Sequence, residues 1–154
     1  MKAWLWCPAY PLADASAQVM CLTAADRFAS ALGIALTPSP LLDSHPGLGA
    51  WLPTSQRRAD LLAGITAVGA TGWLLAARGG YGCVDVLDAL ADVPAGALPR
   101  LIGYSDLTAL HAAWHVLGAR GGLYGFMPGV RHGTRTLETA IALARGETIT
   151  CTTR

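Results

Sequence analysis

Two short runs hold the residue types that acyl-transfer chemistry needs: Arg78-Gly79-Gly80-Tyr81-Gly82 and Gly103-Tyr104-Ser105-Asp106. Each follows an apolar stretch that reads as a buried strand, and each precedes a segment that reads as a helix. A serine on such a strand-to-helix turn stands above the edge of a parallel sheet. The amide of the next residue, here Asp106, faces the same space at the positive end of a helix. A hydroxyl is a weak nucleophile until a base takes its proton and donors meet the developing oxyanion; the turn supplies the exposure and one donor. Gly103, two residues before the serine, allows a tight backbone approach. The pattern is G-x-S-D rather than the full G-x-S-x-G, because Leu107 occupies the place of the second glycine. Ser105 and Asp106 are also good helix N-terminal residues, so capping of the helix that follows is the competing reading.

The glycine run has two readings of its own. Glycine at positions 79, 80 and 82 lets a substrate approach the backbone closely, and it equally suits a tight turn that needs positive φ. A phosphate cradle is poorly supported, since the run lacks both the G-x-x-x-x-G-K-[ST] lysine and the G-x-G-x-x-G spacing. A base for Ser105 within this chain has four candidates. His111 lies six residues on along the same predicted helix, which rotates it off the serine. His115 is farther along that helix, and His45 and His132 fall in predicted loops. No H-E-x-x-H or His/Cys cluster indicates a metal, and no cofactor motif is present.

The elements that would position these runs are legible from apolar spacing. Residues 3–7 read as an opening strand stopped by Pro8. Over 14–32, Ala17, Met20, Cys21, Ala24, Phe28 and Ala31 recur at helical intervals, with Asp14 as N-cap and Gly33 as C′. A second strand spans 34–37, a proline-rich loop 39–53, and a helix begins at Thr54 as N-cap and runs to about Gly69. Residues 73–77 form an unbroken apolar strand, as suits one covered on both faces. Helical spacing follows at 84–90, a strand at 100–104, a helix from Asp106 to about Leu117, a fifth strand at 123–127 and a helix at 134–145. Alternating strands and helices predict an α/β fold, a flavodoxin-like parallel sheet with helices on both faces.

Composition limits the partners. The 154 residues suffice for one domain with a real core, and 53% hydrophobic against 14% charged excludes disorder. So apolar a chain suits an interface, such as that of a homodimer. Net charge is +1 and the basic residues are scattered apart from Arg57-Arg58, so no patch fits nucleic acid. Cys7, Cys21, Cys83 and Cys151 lack C-x-x-C spacing and read as free thiols of a cytoplasmic protein. The apolar start after Lys2 imitates a signal peptide, but Pro8 and Pro11 interrupt it. The uncharged stretch 61–77 carries three glycines and falls short of a membrane span.

Taken together, the two runs resemble the LD-carboxypeptidase family of serine peptidases, which includes muramoyltetrapeptide carboxypeptidases and microcin C immunity peptidases. The matching residues are Cys7-Pro8-Ala9, Arg58 with Asp60-Leu61, Ala77-Arg78-Gly79-Gly80-Tyr81-Gly82, and Ile102-Gly103-Tyr104-Ser105-Asp106-Leu107-Thr108. Tyr124-Gly125-Phe126-Met127-Pro128 departs from the His-Gly-Pro common in the family's next segment. The resemblance implies a Ser-His-Glu hydrolase with Ser105 as nucleophile and the Asp106 amide and the Gly79-Gly80 loop around the oxyanion. It places the His and Glu on a separate C-terminal domain. On that reading residues 1–146 are the nucleophile-bearing domain and 147–154 the start of a linker, so this chain is expected to be the N-terminal half. The implied substrate is a muropeptide with a terminal D-alanine, and the implied setting is murein recycling. Arg78 would face a substrate carboxylate or pair with a local acid such as Asp85. A microcin-type immunity peptidase and a noncatalytic binding domain are the alternatives.

Overall fold

The computed structural model describes residues 1–43 and 52–150. His45, most of the predicted loop 39–53 and residues 151–154 of the predicted linker, Cys151 among them, lie outside these residues. Four parallel strands make the sheet: β1 (Lys2–Trp6), β2 (Ala35–Pro38), β3 (Trp73–Ala76) and β4 (Arg100–Ile102), in the order β2-β1-β3-β4. The register runs Trp4 beside Thr37 and Leu74, and Leu74 beside Leu101. The chain leaves β1 to one side for β2, then crosses back to β3 on the other. That reversal opens a crevice at the carboxyl ends of β1 and β3, where such sheets take ligands.

Side chains alternate between the two faces, as the pleat requires. Leu5, Trp73, Leu75 and Ile102 meet α1 (Ala15–Ala31) and α4 (Thr134–Ala144) on one face, where Phe28 packs edge-on to Trp73 at 5.8 Å. Trp6, Leu74, Ala76 and Leu101 meet α2 (Thr54–Val68), α3 (Thr108–Val116) and a 3₁₀ helix (Cys83–Leu90) on the other. With both faces covered, β3 is buried throughout and its apolar run needs no polar alternation. Asp14 caps α1 by accepting from Ala17 N at 2.8 Å, a bond worth about 1 kcal/mol.

Four local expectations change. The N-cap of α2 is Pro53, and Thr54 is its first helical residue, with its hydroxyl turned to Arg57. Residues 83–90 wind as a 3₁₀ helix. The helix predicted from Asp106 begins as a 3₁₀ turn at Ser105–Leu107 before α3 starts. The predicted fifth strand shrinks to one bridge, Leu123 beside Ile102. Gly125 contributes no side chain to hold a fifth strand, and after Leu123 the chain leaves the sheet. Among the described residues no helix is long and apolar enough to cross a membrane.

Candidate active site

The two runs meet at the carboxyl edge of β3 and β4. Gly103 closes β4 at φ 154°, and a methyl group there would lie 2.4 Å from Leu107 Cδ2 and 3.1 Å from Ala76 Cβ. Ser105 follows at φ 64°, the one non-glycine residue with positive φ among those described, and it is exposed. A left-handed non-glycine residue costs about 1–2 kcal/mol, and persists only where its surroundings fix it. Gly79 abuts it: a methyl at Gly79 would stand 3.1 Å from Ser105 Cβ and 3.3 Å from its Oγ. Gly80 lies against the ring of Tyr10, which follows β1, so the loops after β1, β3 and β4 share one corner.

What fixes the glycine loop is Arg57. It falls on the inward stripe of α2 with Asp60, Leu61, Gly64, Ile65 and Val68, and only 2% of it is exposed. Its Nη1 donates to Gly82 O at 2.7 Å and Pro8 O at 3.0 Å, and its Nε donates to Leu52 O at 3.2 Å. Nη2 reaches Thr54 Oγ1 at 3.2 Å and Asp85 Oδ2 at 3.4 Å. A planar cation with five donors thus ties the ends of two strands to one helix. Sequence spacing carried a signal for this that the charge pair concealed: Arg57 occupies an apolar-stripe position. Asp85 is thereby Arg57's partner, which removes it as the partner considered for Arg78. The Arg78 guanidinium instead lies 5.9 Å from the centre of the Tyr10 ring.

Asp106 ties the second run to Cys83, the residue that follows the first. Its Oδ2 accepts from Cys83 N at 2.8 Å, so the carboxylate caps the neighbouring 3₁₀ helix rather than its own. Cys83 is fully buried beneath this contact, and burial first, then the Asp106 carboxylate, pushes its thiol up. Cys7 and Cys21 are also buried free thiols, each pushed up to about 12 chiefly by burial. All three stay protonated at neutral pH and are inert as nucleophiles.

No described histidine reaches Ser105 Oγ by a hydrogen bond. His111 Nε2 donates to Gly103 O at 3.1 Å, and burial holds its pKa below the ordinary value against the pull of that carbonyl. His132 Nε2 lies 3.0 Å from Met127 O in its own loop, and His115 is exposed on the last turn of α3. Tyr124, which motif spacing did not single out, does touch the turn: its hydroxyl accepts from Ser105 N at 3.1 Å. That contact occupies the Ser105 amide.

A parallel α/β domain with an exposed serine at a strained turn on its carboxyl edge has the form of a hydrolase domain. Residues 5–125 match the family model for the LD-carboxypeptidase N-terminal domain, peptidase family S66, and the chain belongs to that family. No curated protein matches it. The fold is also that of an MccF-like protein from Streptococcus pneumoniae in complex with AMP, at TM-score 0.71 and 17% identity. That match covers 96% of this chain and 46% of the other. An MccF-like protein from Bacillus anthracis aligns at 0.68 and 21% identity, covering 93% and 44%. The microcin C7 self-immunity protein MccF in complex with aspartyl sulfamoyl adenosine aligns at 0.68 and 19%, again covering 93% and 44%. The chain therefore spans less than half the length of these structures.

Proposed function

We propose that this chain is the nucleophile-bearing domain of a serine carboxypeptidase that removes terminal D-alanine from L,D-linked murein tetrapeptides in cytoplasmic peptidoglycan recycling. The observation that supports this most is Ser105 itself, exposed at φ 64° with Gly79 against its Oγ, within a chain of the LD-carboxypeptidase family. Ser105 Oγ attacks the carbonyl of the bond to D-alanine while a base takes its proton. The tetrahedral oxyanion forms between Asp106 N and the Gly79-Gly80 loop, and the amine of D-alanine leaves with that proton. Water then attacks the acyl-serine, again through the base, and frees the shortened peptide and the hydroxyl.

The histidine base and its glutamate partner belong, on this reading, to the part of the protein beyond residues 1–154. His111 and His132 are engaged with backbone carbonyls, which agrees with that division. The two neighbours solved with AMP and with aspartyl sulfamoyl adenosine favour a second reading, in which the acyl group is released from a nucleotide conjugate as in microcin immunity. Both readings use the same serine.

The test is turnover by the protein encoded by the complete gene, offered an L,D-tetrapeptide and, separately, an aminoacyl nucleotide analogue. Release of D-alanine that disappears in Ser105→Ala, with the fold kept, supports the first reading. Cleavage of the nucleotide conjugate alone supports the second, and turnover of either substrate surviving in Ser105→Ala removes the serine from both. Residues 1–154 by themselves are expected to be essentially inactive, because base and orienter carry several orders of magnitude in such triads.

A further inference from the structure

The backbone of Ser105 sits in a closed ring of hydrogen bonds. Ser105 N donates to Tyr124 Oη at 3.1 Å, Thr108 Oγ1 donates to Ser105 O at 2.6 Å, and Tyr124 Oη lies 3.1 Å from Thr108 Oγ1. Donor chemistry orders every proton. An amide only donates and a carbonyl only accepts, so the Thr108 hydrogen is committed to Ser105 O. The remaining contact must then use the phenolic hydrogen, given by Tyr124 to Thr108 Oγ1. The result is a one-way circuit from the Ser105 amide through two hydroxyls back to the Ser105 carbonyl.

Tyr124 is held for this task from outside the turn. Leu123 N donates to Leu101 O at 2.8 Å and Gly103 N donates to Leu123 O at 3.1 Å, which ties the preceding residue to β4. The rings of His111 and Tyr104 pack against the Tyr124 ring with centroids 5.5 and 6.4 Å away. His111 in turn donates to Gly103 O. Yet Tyr124 is 60% exposed, so it contributes little to the core.

The geometry points to Tyr124 and Thr108 as positioning residues that hold Ser105 in its left-handed conformation by binding both polar groups of its backbone. This rests on the reading of Ser105 as nucleophile and goes beyond it. The ring sets where Oγ points, and it takes the Ser105 amide out of the oxyanion pocket. Both residues act through the Ser105 backbone.

The experiment uses the complete protein and reads two quantities: turnover of the L,D-tetrapeptide, and hydrogen exchange at the Ser105 amide. Tyr124→Phe removes one hydroxyl from an exposed ring and is expected to keep the fold and KM. It should speed exchange at Ser105 about tenfold or more and lower kcat about tenfold to a hundredfold. Thr108→Val should do the same, Thr108→Ser should restore most of that loss, and the double variant should be little worse than either single one, because the ring acts as a unit. Unchanged exchange at Ser105 in both Tyr124→Phe and Thr108→Val would overturn the ring, and faster exchange with kcat intact would overturn its positioning role. The exchange result stands apart from the nucleophile reading, which fails separately if Ser105→Ala still turns over.

Discussion

Helix-ending glycines and the glycines around Ser105 do different work in this fold. At the edge where the strands begin, Gly33 and Gly69 end α1 and α2 at φ 64° and 63°, and a methyl at either would meet nothing within 4 Å. They are there for conformation alone, as C-terminal helix glycines commonly are. At the edge where the strands end, Gly79 and Gly103 are hemmed in by Ser105, Leu107 and Ala76. They are there because two loops and a turn must share one small volume. The opening edge also holds a broad cavity of about 590 Å³, lined by Met1, Trp73, Arg100 and Leu143 among others, whereas the closing edge is knit by Arg57, Asp106 and Tyr124. Polar ties between separate loops gather where Ser105 sits, although Gly72 at the opening edge is itself crowded by Val68 and Lys2 O.

Four measurements can break or sharpen this contrast, and they descend in expected size. Arg57→Ala should cost most, about 3 kcal/mol or more in denaturant unfolding, because it strands the carbonyls of Pro8, Leu52 and Gly82 in the interior. A cost below about 1 kcal/mol would mean that the loop is held by something else. Gly103→Ala combines strained φ with overlap on Leu107 and should cost about 2–3 kcal/mol. Gly69→Ala, at the open edge, should cost about 1 kcal/mol and leave turnover untouched. If the two glycine variants prove equally costly, the contrast between the edges is lost.

The smallest effect is a pH dependence. His111 titrates below its ordinary value in the fold because burial disfavours its charge. As pH falls through about 6.5 the unfolded chain takes up that proton first, so the contribution of His111 to stability is complete above this value and declines below it. The wild type should therefore lose stability relative to His111→Gln between about pH 7 and pH 5. A difference that stays flat would place the imidazole in a more solvated setting than its burial implies, and one that runs the other way would mean that the Gly103 carbonyl outweighs burial.

The order of strands and helices was legible because apolar spacing is a local property. Residues 73–77 read as a covered strand since an unbroken apolar run fits only a position between two layers of helices, and Asp14 read as a cap from its place before a periodic stripe. The failure at 123–127 is equally instructive. Apolar residues there are used one at a time, Leu123 on β4, Tyr124 on Ser105 and Phe126 stacked on Phe28, instead of along one ladder. Arg57 was visible as a charge on an apolar stripe, but not the carbonyls it would find. Nothing in the spacing of His111 announced that its ring would serve Gly103 O.

By itself the sequence determined the α/β alternation, the two glycine-bearing turns at strand ends and the family to which they belong. Those follow from periodicity, turn chemistry and motif, each confined to a few neighbouring residues. Only the tertiary structure decided which glycines are crowded, that Arg57 locks the loop after β3, and that Tyr124 closes a ring on the Ser105 backbone. Those partners lie 25 residues apart for Arg57 and Gly82 and 19 for Ser105 and Tyr124, and they meet because parallel strands deliver their carboxyl ends to one edge. The packing of the layers, not the local pattern, sets which groups at that edge come within hydrogen-bonding distance.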